Sequence, residues 1–231
     1  MTSQTLFFKI SWQSLWWVDG CDLDHDVLEN IAAKLVALQK KWYQIALMTW
    51  GGNIFRWRKE GKAIDQTIAH TCGMLATCIN GLVFAEVIKQ LWAQVEVFSA
   101  ISMDRWIQIF NKEKAVKALT SWKIIICTWG TGNPFNTTDL WSVNRALELD
   151  CDILIKCTRV DGVYTADPET DPNATKIDSL TYQEVIERKL NVIDISAVAL
   201  AMENNLPIYI CNMDDIHLRG TDKIKGTIIK D

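Results

Sequence analysis

Short apolar runs of about one strand's length recur along the chain, and stretches of helical periodicity separate them. The runs are TLFFKI (5–10), QIALM (44–48), VEVFS (95–99), KIIIC (123–127), DILIK (152–156), PIYIC (207–211) and GTIIK (226–230). Continuous apolar strands are the mark of a sheet covered on both faces, and helices between them are the usual way to return the chain for a parallel pairing. Between the first two runs, Val27, Leu28, Ile31, Leu35, Val36 and Leu38 recur at helical spacing, with Asp24 or Asp26 as N-cap. A long helix is expected over about Asp65 to Leu91, and shorter ones over KEKAVKAL, TTDLWSVNRALELD, TYQEVIERKL and ISAVALAMENN. Thr137 or Thr138 caps the helix of TTDLWSVNRALELD. The pattern predicts an α/β fold with a largely parallel central sheet, one domain over residues 1–231, with two lobes dividing near residue 140.

Bulk properties narrow the function. A chain of 231 residues is long enough to bury about 70% of its unfolded surface. The net charge of −4 argues against nucleic-acid binding through a broad basic surface. No apolar run reads as a bilayer span, and MTSQTLFFKI has neither the basic start nor the cleavage site of a signal peptide. The 7 cysteines form no C-x-x-C pair, and with 3 scattered histidines they offer no zinc ligand set. Buried, reduced thiols are the expected state. The chain has 11 tryptophans and only 11 glycines, where average usage would give about 16 glycines.

In open parallel sheets ligands bind beyond the carboxyl ends of the strands, beside helix N-termini. Four polar segments fall there: Lys9 with Ser11; Gly51 and Gly52 with Asn53 and Arg56; GTGNPFNTTD (130–139); and Thr158 with DGVYTADP. Glycines let backbone N–H groups approach phosphate oxygens, Lys9 and Arg56 supply positive charge, and Thr137 and Thr138 place hydroxyls at a helix start. Taken singly, each has a structural reading: a solvated strand end, a turn, or an ion pair of Asp152 with Lys156. Neither a dinucleotide fingerprint nor G-x-x-x-x-G-K-[ST] occurs. Taken together, the four indicate an enzyme acting on a phosphorylated ligand.

GTGNPFNTTD and TRVDGVYTADP (158–168) closely resemble the bacterial UMP kinases, members of the amino-acid kinase superfamily. GGNIFR, GMLATCING, LTYQEVIERKL and NNLPIYICNM fit the same family in order along the chain. The resemblance implies a three-layer αβα fold and transfer of the γ-phosphoryl of Mg-ATP to UMP in pyrimidine nucleotide biosynthesis. It also implies a cytoplasmic homohexamer with no membrane or nucleic-acid partner. Residues 1–140 would form the UMP-binding and oligomer lobe, and residues 141–231 the ATP-binding lobe. Carried onto this chain, the catalytic set would be Lys9, Asp152 and Lys156, with Asp152 orienting the lysines or the metal. The ATP side would draw on Lys9, Ile10, Ser11, Gly52, Arg56, Thr158, Tyr164 and Asp167. The UMP side would draw on Gly51, His70, Thr131, Gly132, Asn133, Pro134, Phe135, Asn136, Thr137 and Thr138.

The chain departs from the family's pattern mainly at glycines. Trp12 and Gln13 stand in the first motif for glycine and glutamate, and Trp50 and Trp57 flank GGNIFR where glycine is usual. Trp42, Trp92 and Trp122 fall at turns that often carry glycine, and Trp129 replaces a small residue. Asn136 replaces an aromatic residue and His70 an aspartate. Tryptophans at these places are expected to crowd the phosphate path. A catalytically impaired, nucleotide-binding homologue, whether a natural pseudoenzyme or an engineered variant, is therefore the alternative reading.

Overall fold

The structure, a computed structural model, describes residues 3–10, 25–55, 63–166, 168, 170–190, 192–218 and 225–231. Its frame is one sheet of nine strands: β1 (Thr5–Ile10), β2 (Gln44–Met48), β3 (Val95–Ser99), β4 (Gln108–Ile109), β5 (Ile124–Thr128), β6 (Ile153–Thr158), β9 (Ser179–Leu180), β10 (Ile208–Asn212) and β11 (Gly226–Ile229). The strand order is β4-β3-β5-β2-β1-β6-β10-β11-β9. Every neighbouring pair is parallel except β10 with β11. A separate antiparallel pair joins β7 (Val163–Tyr164) to β8 (Lys176–Ile177). The sheet is continuous across residue 140, since β1 pairs with β2 on one side and β6 on the other.

Among the described residues six α-helices cover the sheet: α1 (His25–Lys40), α2 (Gln66–Gln90), α3 (Lys112–Thr120), α4 (Thr138–Glu148), α5 (Tyr182–Glu187) and α6 (Ile195–Glu203). Alternation of side chains along each strand divides the interior in two. Leu6, Phe8 and Ile10 face a core closed by α1 and the C-terminal half of α2, through Leu28, Ile31, Leu35, Phe84 and Ile88. Phe7 faces the other core, closed by α3, α4, α5 and α6, through Leu119, Val143, Tyr182 and Val198. Complete burial of one such large apolar side chain is worth about 1.5–3 kcal/mol. The expected three-layer αβα architecture is what forms.

Differences from the sequence reading are local. Three strands run one or two residues further than their apolar runs, ending at Thr128, Thr158 and Asn212, because ladder pairing continues into polar residues. TYQEVIERKL is helical only over Tyr182–Glu187, opened by a Thr181–Glu184 capping box. Thr137, not Thr138, caps α4. The N-cap candidate Asp24 lies outside the described residues. By length and composition alone α2 could cross a membrane, contrary to the sequence expectation, but 56% of its apolar window is buried inside the protein. Its buried side packs on α1, β3 and β5, as a core helix does.

All six helices end with a left-handed residue one place beyond the cap: Trp42 (φ 67°), Trp92 (62°), Trp122 (60°), Asp150 (52°), Lys189 (50°) and Asn205 (53°). At five of them a pair of reversed hydrogen bonds closes the helix, as in Tyr43 N–H to Leu38 O (3.4 Å) with Trp42 N–H to Gln39 O (3.0 Å). At α2 the bond from Trp92 N–H to Lys89 O, 2.9 Å, plays this part. This is the Schellman geometry, which normally carries glycine because a Cβ in that conformation strains the backbone.

Tyr182, fully buried on α5, donates its hydroxyl to the carbonyl of Leu206 at 2.6 Å, linking α5 to the turn before β10. Burial pushes this phenol up from 10.0 to about 12, with the charge of Asp231 adding to the effect. The unfolded phenol ionises first, so stability falls as pH rises from about 10 toward about 12. Tyr182→Phe should flatten that alkaline loss in urea melts, at a cost near neutrality of about 1–3 kcal/mol for the orphaned carbonyl.

Candidate active site

The parallel register of β1 and β6 sets Lys9 directly opposite Lys156. Both side chains lie on the face covered by α4, at the carboxyl ends of their strands. Two ammonium groups so close repel, and a carboxylate from the first turn of α4 separates them. Asp139 Oδ1 is 3.4 Å from Lys9 Nζ, and Asp139 Oδ2 is 2.7 Å from Lys156 Nζ. Side-chain exposures are only 10%, 10% and 11% for Lys9, Asp139 and Lys156, so solvent screens these charges weakly. The backbone N–H of Asp194, ahead of α6, also donates to Asp139 Oδ2 at 3.3 Å.

The charges tune one another. Burial works against ionised Asp139, yet Lys9, Lys156 and the two hydrogen bonds outweigh it, and the carboxyl titrates below 3.8. Lys156 is lowered, first by burial and then by Lys9, against the pull of Asp139 and Asp194. An ammonium group has three donors. Asp139 occupies one direction of each, and the others remain to meet a further anion.

Two loops stand beside this triad on the β2 and β5 side. Lys9 pairs in register with Met48, and Met48 with Cys127, so the residues following β2 and β5 emerge next to Lys9. After β2, Gly51 lies against the backbone of α2. A Cβ there would meet Gly73 O at 2.6 Å and Thr77 N at 2.9 Å, so glycine is required by contact. Asn80 of α2 fixes the loop, donating to Trp50 O at 2.5 Å and to Asn53 Oδ1 at 2.7 Å. Thr77 Oγ1 accepts from Trp129 N–H at 2.9 Å, tying the second loop to the same helix.

That second loop, residues 129–138, is shaped by positive φ at Trp129 (57°), Gly130 (52°), Gly132 (84°) and Phe135 (67°). Thr131 Oγ1 accepts from Asn136 Nδ2 at 3.0 Å, and Thr137 caps α4 by accepting from Leu140 N–H at 3.2 Å. His70 of α2 packs its ring on Phe135, centroids 4.8 Å apart, and burial lowers its pKa below 6.5, which favours the neutral ring at pH 7. Arg145 holds the loop from below. It is buried, stacks on Phe110 at 3.9 Å, donates to Gly130 O at 3.0 Å and pairs with Glu148.

On the β6 and β10 side, Thr158 Oγ1 donates to Val160 O at 2.7 Å, and Asn212 Nδ2 holds Arg159 O at 2.8 Å. Tyr164 donates to Asp161 at 2.5 Å, and Lys176 lies 3.4 Å from the same carboxylate. These contacts brace a polar rim opposite the two glycine loops.

Most of the expected site residues therefore converge. Lys9 and Lys156 form the centre. Gly51, Gly52, His70, Thr131, Gly132, Asn133, Pro134, Phe135, Asn136, Thr137 and Thr138 border it on one side, and Thr158 and Tyr164 on the other. Ile10 turns its side chain into the α1 core, leaving only its backbone for the site. Ser11, Arg56 and Asp167 lie outside the described residues, as do Trp12 and Trp57. Asp152 is a correction. It precedes β6, at the amino end of the sheet, where it is exposed and its carboxylate accepts from Thr5 N–H at 2.6 Å. It cannot orient lysines at the opposite edge; Asp139 does so. Asp139 ends the motif GTGNPFNTTD but reads there as one more helix-start residue, and Arg145 carries no local signal. Only their neighbours in space reveal their roles.

The tryptophans divide by position. Trp42, Trp92 and Trp106 are exposed, whereas Trp129 and Trp141 are buried in the α3–α6 core. The rings of Trp50 and Trp141 lie on Gly52 and Gly130. A Cβ built on those glycines would fall 1.9 Å and 2.0 Å from them.

A sheet of this order, with two glycine loops and a lysine pair at its carboxyl edge, defines an α/β enzyme class built for anionic ligands. The amino acid kinase family model matches residues 19–212, and the chain belongs to that family. A uridylate kinase of Phocaeicola vulgatus is 39% identical over 212 residues, covering 91% of this chain and 90% of the relative. One from Pectobacterium atrosepticum is 36% identical over 212 residues, covering 91% and 88%. Among solved structures, a UMP kinase of Bacillus anthracis superposes with TM-score 0.94 at 30% identity, over 99% of this chain and 96% of that one.

Asp139→Asn keeps the shape and removes the charge between two buried cations. Denaturant melts should show a loss of about 3–5 kcal/mol. Because the folded carboxyl titrates below 3.8, its ion pairing adds stability above that value and loses it as pH falls through the lower, folded one. The variant should lack that acid-side decline.

Proposed function

We propose that this chain transfers the γ-phosphoryl group of ATP to UMP, giving UDP and ADP. The observation that carries the reading is the buried Lys9–Asp139–Lys156 triad between two glycine loops on one side and the Thr158–Tyr164 rim on the other. The relatives' names supply the substrates, and the loops on either side of the triad support a place for each. UMP would lie over Gly51, His70 and the loop Thr131 to Thr138. ATP would lie toward Thr158 and Tyr164, with Gly52 and Lys9 near the phosphates that meet in the middle. The acceptor half then corresponds to about residues 1–140 and the ATP half to 141–231.

The chemistry asked of the protein is positional and electrostatic. Charge spreads over the equatorial oxygens of the moving phosphoryl group, and ammonium donors placed there stabilise the transition state more than the separated substrates. Asp139 holds Lys9 and Lys156 aimed at one place while water is largely excluded. UMP oxygen attacks in line, and ADP leaves toward the ATP side. Lys156 holds Asp139 Oδ2 at 2.7 Å, whereas Oδ1, 3.4 Å from Lys9 Nζ, is buried without a hydrogen bond. Magnesium would arrive on the nucleotide phosphates.

Assembly, place in metabolism and compartment are part of the same proposal. Ile68, Leu75, Ile79, Leu82 and Val83 form an exposed apolar stripe on α2, which suits burial between subunits of a homohexamer. A chain that forms UDP would serve pyrimidine nucleotide biosynthesis. The six described cysteines are all free, and five are buried, in keeping with a reducing, cytoplasmic setting. A net charge of −4 offers no general attraction to nucleic acid.

A coupled ADP-release assay with UMP, CMP, AMP and GMP tests the reading, and turnover should be fastest with UMP. Folded protein that turns over none of them would end the proposal. Lys9→Ala should lower kcat by about 100-fold or more, the scale of losing one transition-state donor, and near-normal kcat would remove Lys9 from that role.

A further inference from the structure

The backbone asks for glycine where the sequence reads tryptophan. Seven of the 11 tryptophans lie in described residues. Four of these seven, Trp42, Trp92, Trp122 and Trp129, have φ between 57° and 67°. Only glycine occupies that region without strain, and a bulky aromatic is among the residues least suited to it. Three of the four end helices, Trp42 and Trp122 with the full Schellman pair of hydrogen bonds and Trp92 with one of the two, at a place whose usual residue is glycine. The other structure-ending residues there, Asp150, Lys189 and Asn205, include types that tolerate the conformation better.

Three of the side chains stand largely in solvent, although Trp42 meets Trp122 edge to face with centroids 5.1 Å apart. Trp92 is 96% exposed, Trp42 71% and Trp106 70%. Trp141 is buried with no hydrogen-bond partner for its Nε1, although a buried indole N–H usually finds one. Trp50 and Trp141 lie with their rings upon Gly52 and Gly130, over the two loops that a phosphate would approach. Four sites thus carry a left-handed backbone and two more a ring set on a glycine, and glycine would relieve both.

We propose that the cell encoding this protein inserts glycine at its tryptophan positions, reading as glycine a codon that the standard table does not assign to glycine. Six separate placements of the largest residue where the backbone or a neighbouring glycine favours the smallest would each have had to survive selection. One decoding rule accounts for them all. It requires a glycine-charged tRNA whose anticodon matches that codon. The 11 written glycines join 11 more, and the loops become Thr-Gly-Gly-Gly-Asn after β2 and Thr-Gly-Gly-Thr-Gly-Asn after β5. Both glycine loops then lie open to an anion, and the helix ends lose their strain. This inference stands apart from the substrate assignment, since neither φ nor side-chain crowding depends on which nucleotide binds.

The test is peptide mass spectrometry on the protein purified from its own cells. Tryptic peptides 42–56 and 124–145 carry Trp42 with Trp50 and Trp129 with Trp141, and peptide 90–105 carries Trp92. Each is expected to have the mass of the glycine form, and the intact protein to show no tryptophan fluorescence. Tryptophan found in these peptides overturns the proposal. A second measurement uses the chain made in a standard-code host with tryptophan in place. Trp92→Gly should melt above Trp92→Ala by about 2–4 °C, because alanine keeps the Cβ that glycine removes. Equal melting, or a higher value for alanine, would count against a glycine-adapted backbone. Neither readout involves catalysis, so failure of the substrate assignment leaves this test intact.

Discussion

Two buried ammonium groups on adjacent strands cannot coexist without a carboxylate between them, and the rest of the site is arranged around that requirement. The β1–β6 register fixes Lys9 opposite Lys156. It leaves one direction from which a short acidic side chain can reach both, the first turn of α4. Asp139 must enter there, so α4 must begin where the glycine loop ends. The loop is therefore held close to the lysines by the same contact that neutralises them. A buried ion group of this kind is weak evidence for added stability, because desolvation offsets much of its attraction. Its value lies in holding charge in one geometry, which is what phosphoryl transfer demands.

Packing around this centre is of two kinds. The strands supply a rigid floor with a buried core on each side. Above the carboxyl edge, the loops are held by polar ties to helices: Asn80 to the loop after β2, Thr77 and Arg145 to the loop after β5. Helices thus bear on the loops at a few hydrogen bonds each. Gly51 shows how tight that support is, since α2 leaves no space for even a Cβ. Where tryptophan occupies such neighbourhoods, the backbone still adopts the path a glycine would take, which shows that the surrounding packing, not the residue, sets the local conformation.

Much of the architecture is written in the sequence. Seven apolar runs became strands, and the helical periodicities became helices, because burial on both faces leaves a pattern that needs no partner to be recognised. The loop motifs at 51–56, 130–139 and 158–168 pointed to a candidate site for a similar reason: glycine, proline and hydroxyl residues at strand ends have few other uses. Asp152 misled because an acidic residue beside a strand bearing Lys156 looks like its partner. One residue's position along the strand put it at the wrong edge. Asp139 and Arg145 were hidden because their roles depend on residues 130, 17 and 15 places away along the chain.

By itself, then, the sequence determined the layering, the parallel sheet, the edge at which ligands meet it and the family to which the chain belongs. Each follows from local periodicity or a contiguous motif. Tertiary structure alone decided which carboxylate lies between the lysines, which arginine supports the loop, and which tryptophans occupy left-handed backbone. Those depend on register, on the entry of α4 and on the sign of φ. None of the three is carried by any short stretch of residues, because each is fixed only when distant segments pack.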